Sequence, residues 1–445
     1  MKKYNIFCPE IVPMSNKGEE AIIQGMIDTL FPERNCRFHV CDWDIDEPYE
    51  TNNIVVHPAK YFFSKWRSQE FRLGISPSDI YSASSSILRN LLNRIAPSWV
   101  KWPHSQTRFV IKSISSRSFP YDGFPAPESI DYIIAGHNGG LDEYVCHLID
   151  AYRSFGIQTS IYGSSMKPNV KNAHIIKIFE KTLINCNHVI TRNPIAYSWA
   201  NHHFPSVAIE NAPDPAFGMR PSSEEEVTQF IESNGIGPFF TKPVIMITTA
   251  EPTPISRNSF DQIRSPYKKI EAHRDLLSHL LKHIIELNKF NVLFLPHTLG
   301  RDLIIANDVV KRSGLSDHGS VKVLEMDLPA KLLKGLIGKA NFLIAERIHS
   351  MIGAVGVNTP FLCLGSNKDL RVKGIISEML DWDNQIFLLN NPTKIGIVES
   401  FTNCISNQKE LKKKLKVKND DFQQILVDTG NKIREVINSK TSIPT

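Results

Sequence analysis

Short apolar runs recur along the whole chain, and longer stretches of helical periodicity separate them. In the amino-terminal half we expect strands at residues 4–8, 38–41, 54–56, 132–135, 159–162, 188–191 and 207–209. In the carboxyl-terminal half we expect strands at residues 244–248, 291–296, 321–324, 341–345 and 360–364. Strands that alternate with helices of about 10–15 residues are typical of right-handed βαβ units. The pattern therefore predicts an α/β protein with parallel sheets.

This pattern divides the chain into two doubly wound, Rossmann-like domains that face each other across a cleft. We expect an amino-terminal domain at residues 1–215, interrupted by an insertion at about 57–120, and a carboxyl-terminal domain at 243–390. Prolines, glycines and an acidic cluster indicate a linker at 216–242. Residues 391–445 should form a helical extension that crosses back onto the amino-terminal domain.

Composition favours a cytoplasmic protein. The 445 residues are 42% hydrophobic and 22% charged, which is ordinary for a soluble globular chain. The seven cysteines are odd in number and form no Cys-x-x-Cys motif, so a reducing compartment fits best. The first apolar run meets Pro9 and Glu10, too early for the core of a signal peptide. No apolar stretch is long enough to predict a transmembrane helix.

One segment differs from the rest by its charge. Between His57 and Pro120 there are ten lysines and arginines but only two acidic residues, Glu70 and Asp79, and aromatic residues lie among them. Such a sequence suits a peripheral contact with anionic lipid at the inner membrane face. A solvated insertion that buries a few aromatics explains it equally simply. Nucleic acid is not indicated, because no recognised binding module accompanies the charge.

The most informative motif follows the apolar run 341–345, where Arg347 and His349 stand at the expected end of a strand. Ligands of open α/β sheets bind at this end of the strands. On an extended stretch both side chains would enter one pocket, with Ile348 turned into the core. Arg347 suits a phosphate or carboxylate, and His349 can transfer a proton near neutral pH. Alternatively, Arg347 pairs with Glu346 or Asp369, and His349 caps a helix.

Other candidates also follow predicted strands. They are His297, Lys368 and Arg192. Alternatively, His297 is a turn residue and Lys368 is an ordinary surface lysine. Arg192 could instead form a capping contact or an interdomain ion pair. Two loops complete the set: the glycine-rich loop with His137 and Asn138, and the first loop with Asn16 and Glu19, which opens a helix. The glycine-rich loop lacks the lysine and serine of a P-loop.

Taken in order, these motifs resemble the polysaccharide pyruvyl transferase family over most of the chain. The segments that carry the resemblance are Asn16-Lys17-Gly18-Glu19-Glu20-Ala21-Ile22, Gly136 to Gly140, Thr191-Arg192-Asn193, Asp214-Pro215-Ala216, Pro296-His297, Glu346-Arg347-Ile348-His349-Ser350, Gly356, Thr359-Pro360 and Lys368. Two residues depart from the family pattern: Glu19 replaces the commoner Asp, and Asn193 stands where an acidic residue often follows the Arg.

The resemblance implies a GT-B-like pair of domains that transfers pyruvate from phosphoenolpyruvate to a sugar hydroxyl pair, giving a ketal and phosphate. It implies that Arg347 and His349 contact the donor, in the carboxyl-terminal domain. We expect Arg192 and Lys368 to add cations for the donor carboxylate and phosphate. We expect His349 to be the acid, and His297 to be an acid, a base or a phosphate ligand.

The amino-terminal domain would then hold the acceptor, through Asn16, Glu19, His137 and Asn138. The acceptor would be a polysaccharide or a lipid-linked oligosaccharide, and neither a metal nor a cofactor beyond the co-substrate is expected. One alternative is a GT-B glycosyltransferase that uses a nucleotide sugar. Another is a non-catalytic scaffold that binds sugars or anions at a membrane.

Overall fold

The computed structural model describes residues 3–42, 44–58, 124–137, 141–166, 168, 170, 172–250 and 266–439. An eight-stranded sheet is built from the amino-terminal half, in the order β3-β4-β2-β1-β5-β6-β7-β8. Its strands are β1 (Tyr4–Ile11), β2 (Cys36–Asp42), β3 (Tyr49–Thr51), β4 (Ile54–Pro58), β5 (Tyr132–Ala135), β6 (Gln158–Ser164), β7 (Val189–Thr191) and β8 (Ile209–Asn211). All neighbouring strands are parallel except β3 and β4.

A six-stranded, wholly parallel sheet follows, in the order β11-β10-β9-β12-β13-β14. Its strands are β9 (Val244–Thr248), β10 (Asn291–Phe294), β11 (Val321–Val323), β12 (Phe342–Ala345), β13 (Phe361–Gly365) and β14 (Ile386–Leu388). The predicted fold class, two Rossmann-like α/β domains, is confirmed. Strands β3 and β14 were not predicted, because each has only three residues and partly exposed side chains. The exact domain boundaries stay a prediction.

Helices cover both sheets. They are α1 (Lys17–Leu30), α2 (Glu143–Arg153), α3 (Ala173–Leu183), α4 (Pro194–His203), α5 (Glu224–Ser233), α6 (Pro266–Glu286), α7 (Arg301–Ser313), α8 (Ala330–Lys339), α9 (Ile348–Gly356), α10 (Lys394–Ser406) and α11 (Gln408–Ser439). A π-helical segment spans Val372–Met379. None of the described helices is long and apolar enough to cross a membrane.

The central strands form because their side chains are apolar and buried on both faces, as parallel sheets require. Every residue of β5, β9, β12 and β13 is buried. One core cluster joins the second sheet to one face of the first sheet, and a second cluster fills the opposite face of the first sheet. Polar residues therefore concentrate in the loops that follow the strands.

The terminal helix α11 returns to the amino-terminal domain, as predicted. Asn438 accepts a hydrogen bond from the Tyr4 hydroxyl at 2.8 Å, at the start of β1. Gln423 Nε2 donates to the Phe217 carbonyl at 3.0 Å. The insertion expected at about 57–120 lies outside the described residues from residue 59 onward, and so does the membrane contact proposed for it.

Candidate active site

The loop between β1 and α1 brings the two domains into contact. The side chain of Asn16 accepts a hydrogen bond from Gly18 N at 3.1 Å and caps α1. Asn16, which the sequence predicts as a ligand of the sugar acceptor, therefore has a structural role as a helix cap. A Cβ atom on Gly18 would lie 2.3 Å from His349 Nδ1. Only glycine permits this approach, so the start of α1 lies directly against the His349 ring.

A carboxylate–histidine contact stands beside this loop. His137 is fully buried, and its Nε2 lies 2.6 Å from Glu19 Oε2. Burial opposes ionisation of Glu19, but the charge of His137 and their hydrogen bond outweigh it and lower the pKa of Glu19 to about 2. The structure thus brings the predicted residues Glu19 and His137 together. Asn138, the remaining predicted acceptor ligand, lies outside the described residues.

Glu10, which sequence reasoning did not select, lies behind this contact at the end of β1. Its Oε1 accepts a hydrogen bond from Gly136 N at 2.5 Å. Burial raises the pKa of Glu10 to about 7, although the charge of His137 lowers it. The only available signal was an acidic residue at the end of an apolar run, a pattern too common to select it.

Arg192 forms a buried ion pair within the amino-terminal domain. Its Nη1 lies 2.9 Å from Asp214 Oδ2, and its Nε donates to Ser165 Oγ at 2.7 Å. The Arg192 and Asp214 side chains are 3% and 0% exposed. Both charges act on His349 of the other domain, so the pair belongs to the same site. The partner Asp214 lies in the Asp-Pro-Ala segment that contributed to the family resemblance.

The Arg347-to-His349 motif is helical rather than extended. Helix α9 begins at Ile348, so only Arg347 keeps an extended backbone, with φ −90° and ψ 122°. Ile348 turns into the core as predicted, but His349 lies in the first helical turn. The expectation that an extended strand aligns the two side chains is therefore wrong, since the helix starts earlier than the sequence pattern indicated.

Arg347 pairs with Asp302, and neither of the two carboxylates suggested by the sequence is its partner. Its Nε donates to Asp302 Oδ2 at 3.0 Å, and its Nη2 donates to Oδ1. Asp302 is fully buried at the start of α7 and also accepts hydrogen bonds from the backbone of His297 and Thr298. The Arg347 side chain remains 30% exposed, so solvent reaches it.

His297 and His349 line one small cavity together with Lys17 and Lys334. Burial, with the positive charge of Arg347, lowers the pKa of His297 to about 3. Burial likewise lowers the pKa of His349 to about 4. Both imidazoles are therefore neutral at pH 7 when no ligand is bound.

The Nε2 atoms of His297 and His349 differ in their hydrogen bonding. His297 Nε2 lies 2.8 Å from Ser350 Oγ and is engaged there. His349 Nε2 is buried and has no hydrogen-bond partner among the described residues. Of the two, His349 has the nitrogen available for a ligand.

The loop after β13 contains two cations with different surroundings. Lys368 is exposed, and its ammonium group makes no ion pair with any residue the structure describes. Arg371 pairs with Asp369, and its charge acts on Glu19, Asp214 and His349. Sequence reasoning missed Arg371, although an Asp-x-Arg sequence directly after a strand was a usable signal. The donor role predicted for Lys368 stays a prediction.

Glu346 anchors the strand end that carries the motif. Its Oε2 accepts a hydrogen bond from Ala250 N at 2.7 Å, and its Oε1 lies 2.5 Å from His273 Nε2 of α6. Burial disfavours the charged imidazole, but the Glu346 carboxylate outweighs it and raises the pKa of His273. These contacts fix the backbone from which Arg347 and His349 project.

Solved structures that resemble this chain have the GT-B arrangement of two facing Rossmann-like domains. The α,α-trehalose-phosphate synthase (UDP-forming) of Burkholderia xenovorans, in complex with glucose-6-phosphate, has a TM-score of 0.56 at 9% identity, and 98% of this chain and 100% of that chain are covered. A trehalose-6-phosphate synthase from Burkholderia multivorans has a TM-score of 0.54 at 8% identity, with coverages of 99% and 100%. The S. aureus MnaA–UDP co-structure has a TM-score of 0.54 at 10% identity, with coverages of 100% and 99%.

Such low identities show the fold alone. The family is shown by sequence: the polysaccharide pyruvyl transferase model matches residues 16–368, which is most of the chain. The chain therefore belongs to the polysaccharide pyruvyl transferase family, a family of transferases of polysaccharide biosynthesis. No curated protein matches it.

Proposed function

We propose that this protein transfers pyruvate from phosphoenolpyruvate to a pair of sugar hydroxyls, forming a pyruvate ketal and releasing phosphate. Family membership supports the class of reaction. The observation that carries the proposal is the position of His349, which lies against Gly18 of one domain while Arg192, Arg371, Glu19 and Asp214 surround it with charge. An anionic donor and a neutral sugar need that combination of cations, carboxylates and an imidazole at one cleft.

The reaction balances with the groups available. A proton adds to the methylene carbon of phosphoenolpyruvate, and one sugar oxygen bonds to C2. The second sugar oxygen then bonds to C2 while the C2–O bond to phosphate breaks. Of the two hydroxyl protons lost, one balances the new methyl group and one leaves with hydrogen phosphate.

His349 is the proposed acid at the methylene carbon. Its neutral form predominates in the empty site, because burial lowers the pKa of His349 to about 4. A dianionic phosphate close to the ring favours the imidazolium, so donor binding itself would charge His349. Arg347 and Arg192 are proposed to neutralise the donor carboxylate and phosphate, and Lys368 keeps its proposed place as a further cation.

On the opposite side, Glu19 is proposed to contact the acceptor and His137 to position the Glu19 carboxylate, with Asn16 and Asn138 from the same two loops as further acceptor ligands. The Glu19 side chain is 14% exposed and His137 is fully buried behind it, so only the carboxylate reaches the cleft. Carboxylates accept hydrogen bonds from hydroxyls, which is the contact that a sugar offers.

Ligand-induced stabilisation tests the donor. At 100 times its dissociation constant, phosphoenolpyruvate should add about 2.7 kcal/mol to the free energy of unfolding. The gain should be lost in Arg347→Ala and retained in Lys373→Ala, an exposed lysine that serves as the matched control. Stabilisation only by a nucleotide sugar would overturn the proposal in favour of a glycosyltransferase.

The acceptor is proposed to be a polysaccharide or a lipid-linked oligosaccharide, used in the cytoplasm at the inner membrane face. The basic segment 57–120 carries the proposed membrane contact. Sedimentation with liposomes of anionic lipid at low salt should recover the protein with the vesicles. Recovery in the supernatant would contradict the membrane contact while leaving pyruvyl transfer untouched.

A further inference from the structure

We propose that Arg371 is an anion-binding residue of this cleft, and that it supplies the main cation from the loop after β13, ahead of Lys368. The inference rests on the proposed function in one respect: the anion in the working enzyme would be the phosphoenolpyruvate donor. The binding of an anion by Arg371 can be tested independently of that reaction.

The first argument is position. Arg371 immediately precedes the π-helical segment Val372–Met379, and π-helical turns occur frequently at functional sites. A Cβ atom on Gly374 of that segment would lie 2.9 Å from Asn193 Oδ1 in the other domain. Because Asn193 directly follows Arg192, this close contact brings the start of the segment to the part of the cleft where Arg192 lies.

The second argument is charge. Arg371 interacts electrostatically with Glu19 and Asp214 across the domain boundary, and with His349 of its own domain. Its side chain is nevertheless 46% exposed. This guanidinium interacts with several charges of the site and is also exposed to solvent. It therefore lines an open cleft, where a ligand can reach it.

The third argument is an internal parallel between two arginines that follow the adjacent strands β12 and β13. Asp302 holds Arg347 through Nε and Nη2, and Asp369 holds Arg371 through the same two nitrogens, at 3.1 and 2.8 Å. In each case the Nη1 edge has no hydrogen-bond partner among the described residues. A guanidinium fixed on one edge has already lost much of its conformational freedom and presents the other edge to a carboxylate or phosphate.

Lys368 lacks these features. It is exposed, and only its backbone nitrogen makes a described contact, to Ser366 Oγ at 3.2 Å. A lysine without an anchoring carboxylate loses more side-chain entropy when it binds an anion. The same loop therefore provides a direct comparison between a positioned and an unpositioned cation.

The test measures binding by calorimetry and thermal stabilisation, with phosphoenolpyruvate and inorganic phosphate as separate probes. Arg371→Ala should weaken binding of phosphoenolpyruvate roughly 10- to 100-fold, as expected for loss of a charge-assisted hydrogen-bonded contact. Arg371→Lys should recover only part of that loss, because the ammonium cannot keep the two-nitrogen contact with Asp369. Lys368→Ala should weaken binding less than Arg371→Ala, and Lys373→Ala is the matched charge control in the same segment.

The outcomes separate this inference from the proposed function. If wild-type protein binds phosphoenolpyruvate and Arg371→Ala binds it equally well, the role of Arg371 is wrong and the proposed donor stands. If phosphoenolpyruvate has no effect but phosphate binds and depends on Arg371, the anion site stands and the proposed donor is wrong. If wild-type protein binds neither probe, both are wrong. The melting temperature of ligand-free Arg371→Ala must match that of wild type within a few degrees, which excludes unfolding as the cause.

Discussion

The two domains hold their charges differently where they face each other. On the amino-terminal side Arg192 and Asp214 are at most 3% exposed, and they pair with each other. On the carboxyl-terminal side Arg347 and Arg371 are 30% and 46% exposed, although carboxylates hold them. A buried cation acts on a ligand through its fixed charge, whereas a half-exposed cation can also bind the ligand directly. This difference supports a donor site on the carboxyl-terminal side.

His349 belongs to the carboxyl-terminal domain but lies against Gly18 of the amino-terminal domain. Its replacement should therefore have the largest effect. In His349→Gln, acceptor-dependent release of phosphate from phosphoenolpyruvate should fall by about 10²–10⁴-fold, the usual contribution of a positioned acid. The free energy of unfolding, measured by denaturant titration, should change little, because the glutamine fills similar space. Activity within tenfold of wild type would remove His349 from the chemistry.

The second prediction concerns the buried ion pair of Arg192 and Asp214. Asp214→Asn leaves the Arg192 charge buried and unpaired. The free energy of unfolding should fall by about 3–5 kcal/mol. Asp369→Asn, whose partner Arg371 is half-exposed, should cost only about 0–1 kcal/mol. Urea titration of both variants checks the contrast, and equal losses would show that the two sides do not differ as described.

Glu10 makes the amino-terminal side sensitive to pH. Its folded pKa of about 7 exceeds the ordinary value of 4.5, so the folded state binds more protons between these pH values. The contribution of Glu10 to stability should therefore fall by about 3 kcal/mol as the pH rises from 4.5 through 7, while the lowered pKa values of His297 and His349 act in the opposite direction. Glu10→Gln should remove the Glu10 contribution, since the amide cannot ionise, so the difference between the two proteins isolates it. Urea titrations of both proteins at pH 5 and pH 8 measure it; parallel pH profiles would contradict the assignment.

Gly18 tests the contact between the two sides. In Gly18→Ala the new methyl group must displace the His349 ring, which it would otherwise approach at 2.3 Å. Phosphate release should fall roughly tenfold, because small misplacements of reacting groups are costly. Gly338→Ala in α8, where a Cβ atom would meet its nearest neighbour at an ordinary 3.5 Å, controls for altered helix propensity. Unchanged activity in Gly18→Ala would mean that the ring position does not matter.

Much of this arrangement was predictable from sequence. Apolar runs such as those at 244–248 and 341–345 report burial on both faces of a parallel strand, so the fold class and most strands followed directly. Residues placed directly after strands, including His297, Arg192 and His349, were found at the carboxyl edges of the sheets. Lys368 shows the limit of that reasoning, since a position after a strand does not determine where a long side chain points.

The sequence alone determined that this chain has two facing α/β domains and that its polar motifs follow the strands, because hydrophobic periodicity is a local property. Only the tertiary structure decided which charges meet. The pairing of Arg347 with Asp302, the approach of Gly18 to His349 and the approach of Gly374 to Asn193 join residues from separate elements. Such contacts depend on how whole helices and sheets pack in three dimensions, and no local pattern encodes that packing.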